Sequence, residues 1–212
     1  MEITWFGHAC FRLRAREGTV VTDPFGKESG YTMPQIRADV VTVSHDHENH
    51  NQTKGFRGKP HIIHGPGEYE VKGIFVKGIA TYHDNEHGKK FGRNTVYRYD
   101  LEKLTVAHLG DLGHILLQTQ VEVLNSIDVL LIPVGGGATI GPTEAAEIVS
   151  LVEPRIVIPM HYKTPAYKGE LQEVEKFLDQ MGVKSVGSQD SLKVTVPSLP
   201  EETKVVLLTC TA

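Results

Sequence analysis

Residues 40–51, VVTVSHDHENHN, carry an apolar strand pattern directly into three closely spaced imidazoles, His45, His47 and His50. Histidine is rarely accumulated for packing and is a common metal ligand, so this spacing points to a bound metal ion. In extended backbone His45 and His47 project to one side while Asp46 points away, which lets both rings reach one ion. His50, three residues beyond His47, can open a helical turn and reach a neighbouring position. A polar loop that gathered histidine by chance is the competing account, and it offers no packing reason for such a cluster at the end of a buried-type strand.

The block resembles the H-x-H-x-D-H motif of the metallo-β-lactamase superfamily. His83 in ATYHDNEHG, Asp111 in HLGDLGH and His161 in IPMHYKTP fit that family's order along the chain. WFGHACF, TDPFG, GRNTV and PVGG are similar to its ascorbate-6-phosphate-lactonase-like branch, so the resemblance spans essentially the whole sequence. It implies a four-layer αββα sandwich, two mixed β-sheets flanked by helices, with metal at the edge where the sheets meet. It also implies that His45, His47 and His83 bind one ion, that His50 and His161 bind a second, and that Asp111 bridges the two. The catalytic assignment falls on Asp111, His50 and Asn49.

Asn49 departs from the pattern, which has aspartate there as a ligand of the second ion and a contact of the attacking water. An amide oxygen has no negative charge and accepts no proton, so the second site is expected to be weaker. Three readings stay open: a di-metal site with a weak second ion, a mononuclear site, and a metal-binding protein without efficient turnover. The expected chemistry is a metal-bound hydroxide attacking an electrophilic carbon or phosphorus in a small ester, lactone or phosphodiester. Imidazole-rich ligation suits zinc, one ion or two, and manganese, iron or nickel is compatible with it. A nuclease is a further alternative. Di-iron redox chemistry is disfavoured, because the resembling enzymes of that kind have glutamate where this chain has His47.

Other residues beside the expected site have less specific roles. His8, Asp23 and His114 could orient ligands or donate a proton, or be hydrogen-bonded structural residues. Arg93, Tyr162 and Lys163 could receive an anionic group of a small-molecule substrate. Gly135, Gly136 and Gly137 suit a tight backbone path near the pocket, but the Lys-Ser/Thr ending of a phosphate loop is absent from that stretch.

The elements that must position these residues fall into two styles. Short alternating strands are expected at 3–6, 10–15, 19–22, 40–44, 62–63, 73–77, 79–83 and 95–99, with an irregular Pro- and Gly-rich loop over 23–35. Apolar runs at 104–109, 129–134 and 156–160 then alternate with helical patterns at 118–124, 142–152 and 170–181, and strands at 192–196 and 204–208 close the chain. With no obvious linker, residues 1–212 read as one domain.

Composition narrows the class further. A chain of 212 residues with 40% hydrophobic and 23% charged residues has a globular balance and can bury a core without a metal. The net charge of −4 gives no basic footprint for nucleic acid. Cys10 and Cys210 belong to no metal-type spacing and read as thiols of a reducing compartment. No apolar run nears the ~20 residues of a membrane span, and the N-terminal stretch resembles no secretory leader, so a cytoplasmic location is expected. Self-association is left open.

Overall fold

Period-two alternation in the first half of the chain and buried apolar runs in the second build two mixed sheets. The computed structural model describes residues 1–211. Its strands in chain order are β1 (Glu2–Gly7), β2 (Cys10–Arg14), β3 (Thr19–Thr22), β4 (Val40–Val43), β5 (His61–His64), β6 (Gly67–Val71), β7 (Ile74–Tyr82), β8 (Arg93–Leu101), β9 (Leu104–His108), β10 (Val129–Pro133), β11 (Ile156–Met160), β12 (Ser188–Gln189), β13 (Leu192–Lys193), β14 (Lys204–Val205) and β15 (Leu207–Leu208). The helices are α1 (Gln118–Val123), α2 (Pro142–Val152) and α3 (Glu175–Gln180).

The first sheet has the order β13-β1-β2-β3-β4-β5 and the second β14-β11-β10-β9-β8-β7-β6, while β12 and β15 form a separate pair. Strands β3, β4 and β5 are mutually parallel, as are β9, β10, β11 and β14 and the separate pair β12 and β15, and the remaining neighbours are antiparallel. Alternation sorts the first sheet: Ile3, Trp5, Phe11, Leu13, Val20 and Val40 join the main core with the second sheet. Phe6, Cys10, Val21 and Val41 face outward onto Phe25, Tyr31 and Ala38 of the following loop. That outer cover is irregular apart from one 3-10 turn, Lys27–Ser29, as its prolines and glycines dictate.

On the second sheet β10 and β11 are buried at every position, which explains their unbroken apolar sequences. Helix α2 starts with Pro142 at its first turn, and Glu144 reaches back to accept from the Gly141 amide at 3.1 Å. Its Ala145, Ile148, Val149 and Val152 share the core with Phe177 and Leu178 of α3.

Four expectations need correction. The strand expected at 204–208 is split between β14 in the second sheet and β15 beside β12. The strand expected at 192–196 ends at Lys193, ahead of a 3-10 turn, Val196–Ser198. The strands expected at 73–77 and 79–83 form one nine-residue strand, β7. Gly78, which reads as a breaker, instead makes room for a neighbouring turn: a Cβ there would stand 2.7 Å from the Gly65 carbonyl. The helix expected from residue 170 starts only at Glu175. Gln172 spends its backbone groups elsewhere, its amide on the Gly135 carbonyl (2.8 Å) and its carbonyl on the Lys163 amide (2.9 Å).

Candidate metal centre

Asp23 and the His45–His50 loop follow the carboxyl ends of β3 and β4, while His83, Asp111 and His161 follow those of β7, β9 and β11. Loops at carboxyl ends of neighbouring strands converge, so residues far apart in sequence meet at one edge of the sandwich. The strand preceding the histidines ends at Val43, one residue earlier than expected. The chain then turns, with the His47 carbonyl accepting from His50 and Asn51 amides at 2.8 and 3.0 Å. This turn, rather than extended backbone, swings His45 and His50 inward. His47 stays exposed at the rim, its ring 6.0 Å from that of His45. Asp46 joins no group of candidate ligands, as expected, but lines the cavity beyond them, where it accepts from the Asn51 side-chain amide at 2.5 Å.

Four imidazole Nε2 atoms converge on Oδ2 of the buried Asp111: His83 at 3.0 Å, His50 at 3.3 Å, His161 at 3.4 Å and His45 at 3.9 Å. For three of these rings the outer nitrogen fixes the tautomer. The His83 Nδ1 faces the Ala138 carbonyl at 3.2 Å, which only accepts, so Nδ1 donates. The His50 Nδ1 likewise donates to Asp23 Oδ2 at 3.0 Å. The Ser44 hydroxyl donates to the same Asp23 oxygen at 2.6 Å and so accepts from His45 Nδ1 at 2.9 Å. In their neutral forms all three rings therefore aim Nε2 lone pairs at a carboxylate oxygen, an arrangement that requires a proton or a cation between them.

A metal ion fits that requirement. Two ligand atoms each about 2.0–2.1 Å from a tetrahedral ion stand about 3.3–3.4 Å apart, close to the separations around Asp111. Asp111 Oδ1, meanwhile, is buried with no hydrogen-bond partner, as are Nδ1 of His8 and Nδ1 of His161. Grouped by donor atoms within 4.8 Å of one another, the residues form His45, His83 and Asp111; His45, His47 and His50; and His8, His50, Asp111 and His161.

The electrostatics also favour positive charge. Burial would raise the Asp111 carboxyl, but the His161 and His50 rings hold it well below the usual carboxylate range. Burial would lower His50, yet the Asp111 charge and hydrogen bonds to Asp111 and Asp23 push it up to about 10. His83 is raised too, its burial outweighed by Asp111. His45, desolvated and beside His50, falls to about 3. Burial and the neighbouring His161 and His50 push His8 well down.

Of the less specific residues, Asp23 sits at the centre of the support, fully buried and also accepting the Ser44 amide at 2.8 Å. His114 lies outside the cluster: its Nε2 accepts from the Tyr82 amide at 3.2 Å, tying down the end of β7 beside His83. Arg93, Tyr162 and Lys163 do not line the cavity. Arg93 starts β8 in register with Tyr82, Tyr162 packs on Trp5 with ring centroids 5.1 Å apart, and Lys163 is paired with Glu173 at 2.7 Å. Gly135 works as expected, since any Cβ there would collide with the His161 carbonyl.

Several contributors escaped the sequence reading. Ser44 relays Asp23 to His45, and Asn94 Oδ1 accepts the Asp111 amide at 3.0 Å. Asp84 accepts four amides of the 86–91 loop at 2.7–2.9 Å, which presents Phe91 to His83 with ring centroids 5.5 Å apart. Although burial opposes it, these bonds draw the Asp84 carboxyl down to about 2. The only hint in the sequence was the Asp-Asn dipeptide after His83.

The cluster opens into a cavity of about 310 Å³ walled by Phe91, Gly137, Ala138, Tyr167 and Leu171, with Asp46, Asn49 and Glu170 among its polar residues. Among the described residues, no Lys or Arg lines it.

Two mixed sheets with a histidine and aspartate cluster at one edge define the metallo-β-lactamase fold, and residues 2–161 match the family model of the Beta-lactamase superfamily domain. Within that superfamily the chain belongs to the UPF0173 metal-dependent hydrolase family. It is 29% identical to the UPF0173 metal-dependent hydrolase of Methanopyrus kandleri, with 86% of this chain and 94% of the relative covered. It is 31% identical to a UPF0173 protein of Pyrococcus furiosus, with 82% and 91% covered. A crystal structure of a candidate Zn-dependent hydrolase of the superfamily from Thermotoga maritima superposes with a TM-score of 0.83 at 43% identity, covering 98% of this chain and 97% of that one.

Proposed function

We infer that the protein is a zinc-dependent hydrolase of a small, uncharged ester or lactone. The observation that carries this reading is the set of imidazole Nε2 atoms converging on Asp111 beside a cavity that no Lys or Arg lines among the described residues. His45, His83 and Asp111, with His47 at the rim, would hold one ion, and His50, His161 and Asp111 a second. A bound zinc supplies Lewis acidity, stabilising charge on the reacting oxygen and making water more acidic.

The chain's own residues do the rest. Asp23 and Ser44 hold His45 and His50 in the ligand tautomer, and the Ala138 carbonyl does so for His83. Phe91, Tyr167 and Leu171 offer apolar walls that exclude water around a substrate of modest size. A phosphodiester fits less well at the outer lining, where its charge would meet Asp46 and Glu170 with no guanidinium or ammonium to receive it, so that only the bound ions would offset its charge. The same argument disfavours nucleic acid. The resemblance to ascorbate-6-phosphate-lactonase-like proteins adds support for lactones, although no Lys or Arg among the described residues lines the cavity to hold a phosphate group away from the ions.

The test is turnover of matched panels of neutral esters, lactones and phosphodiesters by the zinc-loaded protein. Neutral ester or lactone hydrolysis that vanishes on chelation and returns with zinc is expected. Preference for phosphodiesters would refute the substrate class. Stoichiometric zinc without turnover of any panel would favour the metal-binding reading that Asn49 motivates.

A further inference from the structure

The residue that the ligand scheme above leaves unexplained is His8. It sits in the tight turn between β1 and β2, buried, in the left-handed region at φ 51°. A non-glycine residue rarely stays there unless its surroundings hold it, and here they do. The His8 carbonyl accepts from the Trp5 indole and from the backbone amide of His161, both at 3.1 Å. The turn is thus fastened to the residue that follows β11.

The imidazole so placed lies against the metal cluster. Its ring centroid is 4.2 Å from that of His161 and 4.8 Å from that of His50, and one of its nitrogens falls in a single donor group with His50, Asp111 and His161. A histidine kept for structure would satisfy its buried nitrogens, yet His8 Nδ1 has no partner. All four members of the group are buried. By contrast Asn49, at the position where the family pattern has a carboxylate ligand, is half-buried at the cavity and contributes no charge.

We propose that His8 is a ligand of the second ion, completing a donor set of His8, His50, His161 and Asp111 in place of the carboxylate missing at position 49. The proposal rests on the metal-centre reading and extends it by one residue. Three imidazoles and a carboxylate are donors that zinc accepts, and a fifth position would be left for water or substrate, as a catalytic ion needs.

The test is titration of the metal-free protein with Zn²⁺ against a chromophoric chelator, and with Co²⁺ followed by its visible absorption. The variants are His8→Phe, which keeps a ring against His161 and Tyr167 without a donor, and His8→Asn, which tolerates the left-handed backbone. Wild type is expected to take up two equivalents. In both variants the first equivalent should be retained and the second weakened by about a hundredfold or more, beyond the ~10–100-fold typical of losing an outer partner. The absorption of the second Co²⁺ should change with it, which a purely structural role would not cause in variants whose metal-free melting matches wild type. An unchanged second equivalent in the variants, or a wild type that binds one ion, overturns the proposal and leaves the metal-centre reading standing. A wild type that binds neither metal removes both.

Discussion

Because Asp23 Oδ2 accepts from both His50 Nδ1 and the Ser44 hydroxyl, one carboxylate fixes the tautomers of two inward-facing imidazoles. Asp23→Asn keeps the shape and tolerates the backbone at φ 37°, but halves the acceptor capacity. Zinc affinity should fall about 10–100-fold, measured by chelator competition. Unchanged affinity would mean that the rings are held by something other than Asp23. Asn49→Asp adds the missing charge beside the second group and should tighten the second zinc on the order of tenfold in the same titration, about 1.4 kcal/mol. No tightening would show that position 49 does not reach that ion. At this scale His45 and His50 were legible because histidine accumulates there without a packing reason, whereas His83, Asp111 and His161, which sit in no such cluster, were legible only through the family resemblance. Ser44, Asn94 and the Ala138 carbonyl were not, because an isolated polar residue or a backbone oxygen reveals its partner only once the chain is folded.

The elements show the same division between patterned and unpatterned information. Runs such as 129–134 and 156–160 announced buried strands, and Pro142 with Glu144 announced the start of α2. The start of α3 was hidden, because Leu171 and Val174 keep helical spacing while Gln172 is held by Gly135 and Lys163. Hidden too was how the sheets are tied behind the metal cluster. The Tyr97 hydroxyl, on β8, donates to the Val43 carbonyl at 2.8 Å and accepts from the Gly65 amide at 2.9 Å; the Tyr99 hydroxyl meets Thr42 Oγ1 at 2.7 Å. Both contacts hold β4 just before it delivers His45. Tyr97→Phe strands the Val43 carbonyl and the Gly65 amide, so unfolding stability in urea should drop by about 1–3 kcal/mol. A loss within measurement error would show that water or another group takes over these partners.

For the whole molecule, the decisive feature is that the proposed ligands come from both sheets. His8, His45, His47 and His50 hang from the first, and His83, Asp111 and His161 from the second. A bound ion therefore staples the sandwich at one edge, whereas the main core of Trp5, Phe11, Tyr97, Tyr99, Leu131 and their neighbours lies between the sheets and does not depend on it. Chelation should accordingly lower the melting temperature without unfolding the protein at 25 °C. Free zinc at a hundred times its dissociation constant adds at most about 2.7 kcal/mol per site by mass action, less whatever the His45–His50 stretch binds in the unfolded chain. For a chain of this size that is a shift of about 5–10 °C per ion, readable by circular dichroism with and without chelator. The two-ion arrangement predicts two separable increments as zinc is added back, the second lost in His8→Phe. A melting temperature indifferent to chelation would mean that no ion bridges the sheets, and far-ultraviolet signal lost on chelation at 25 °C would mean that the core does not stand alone.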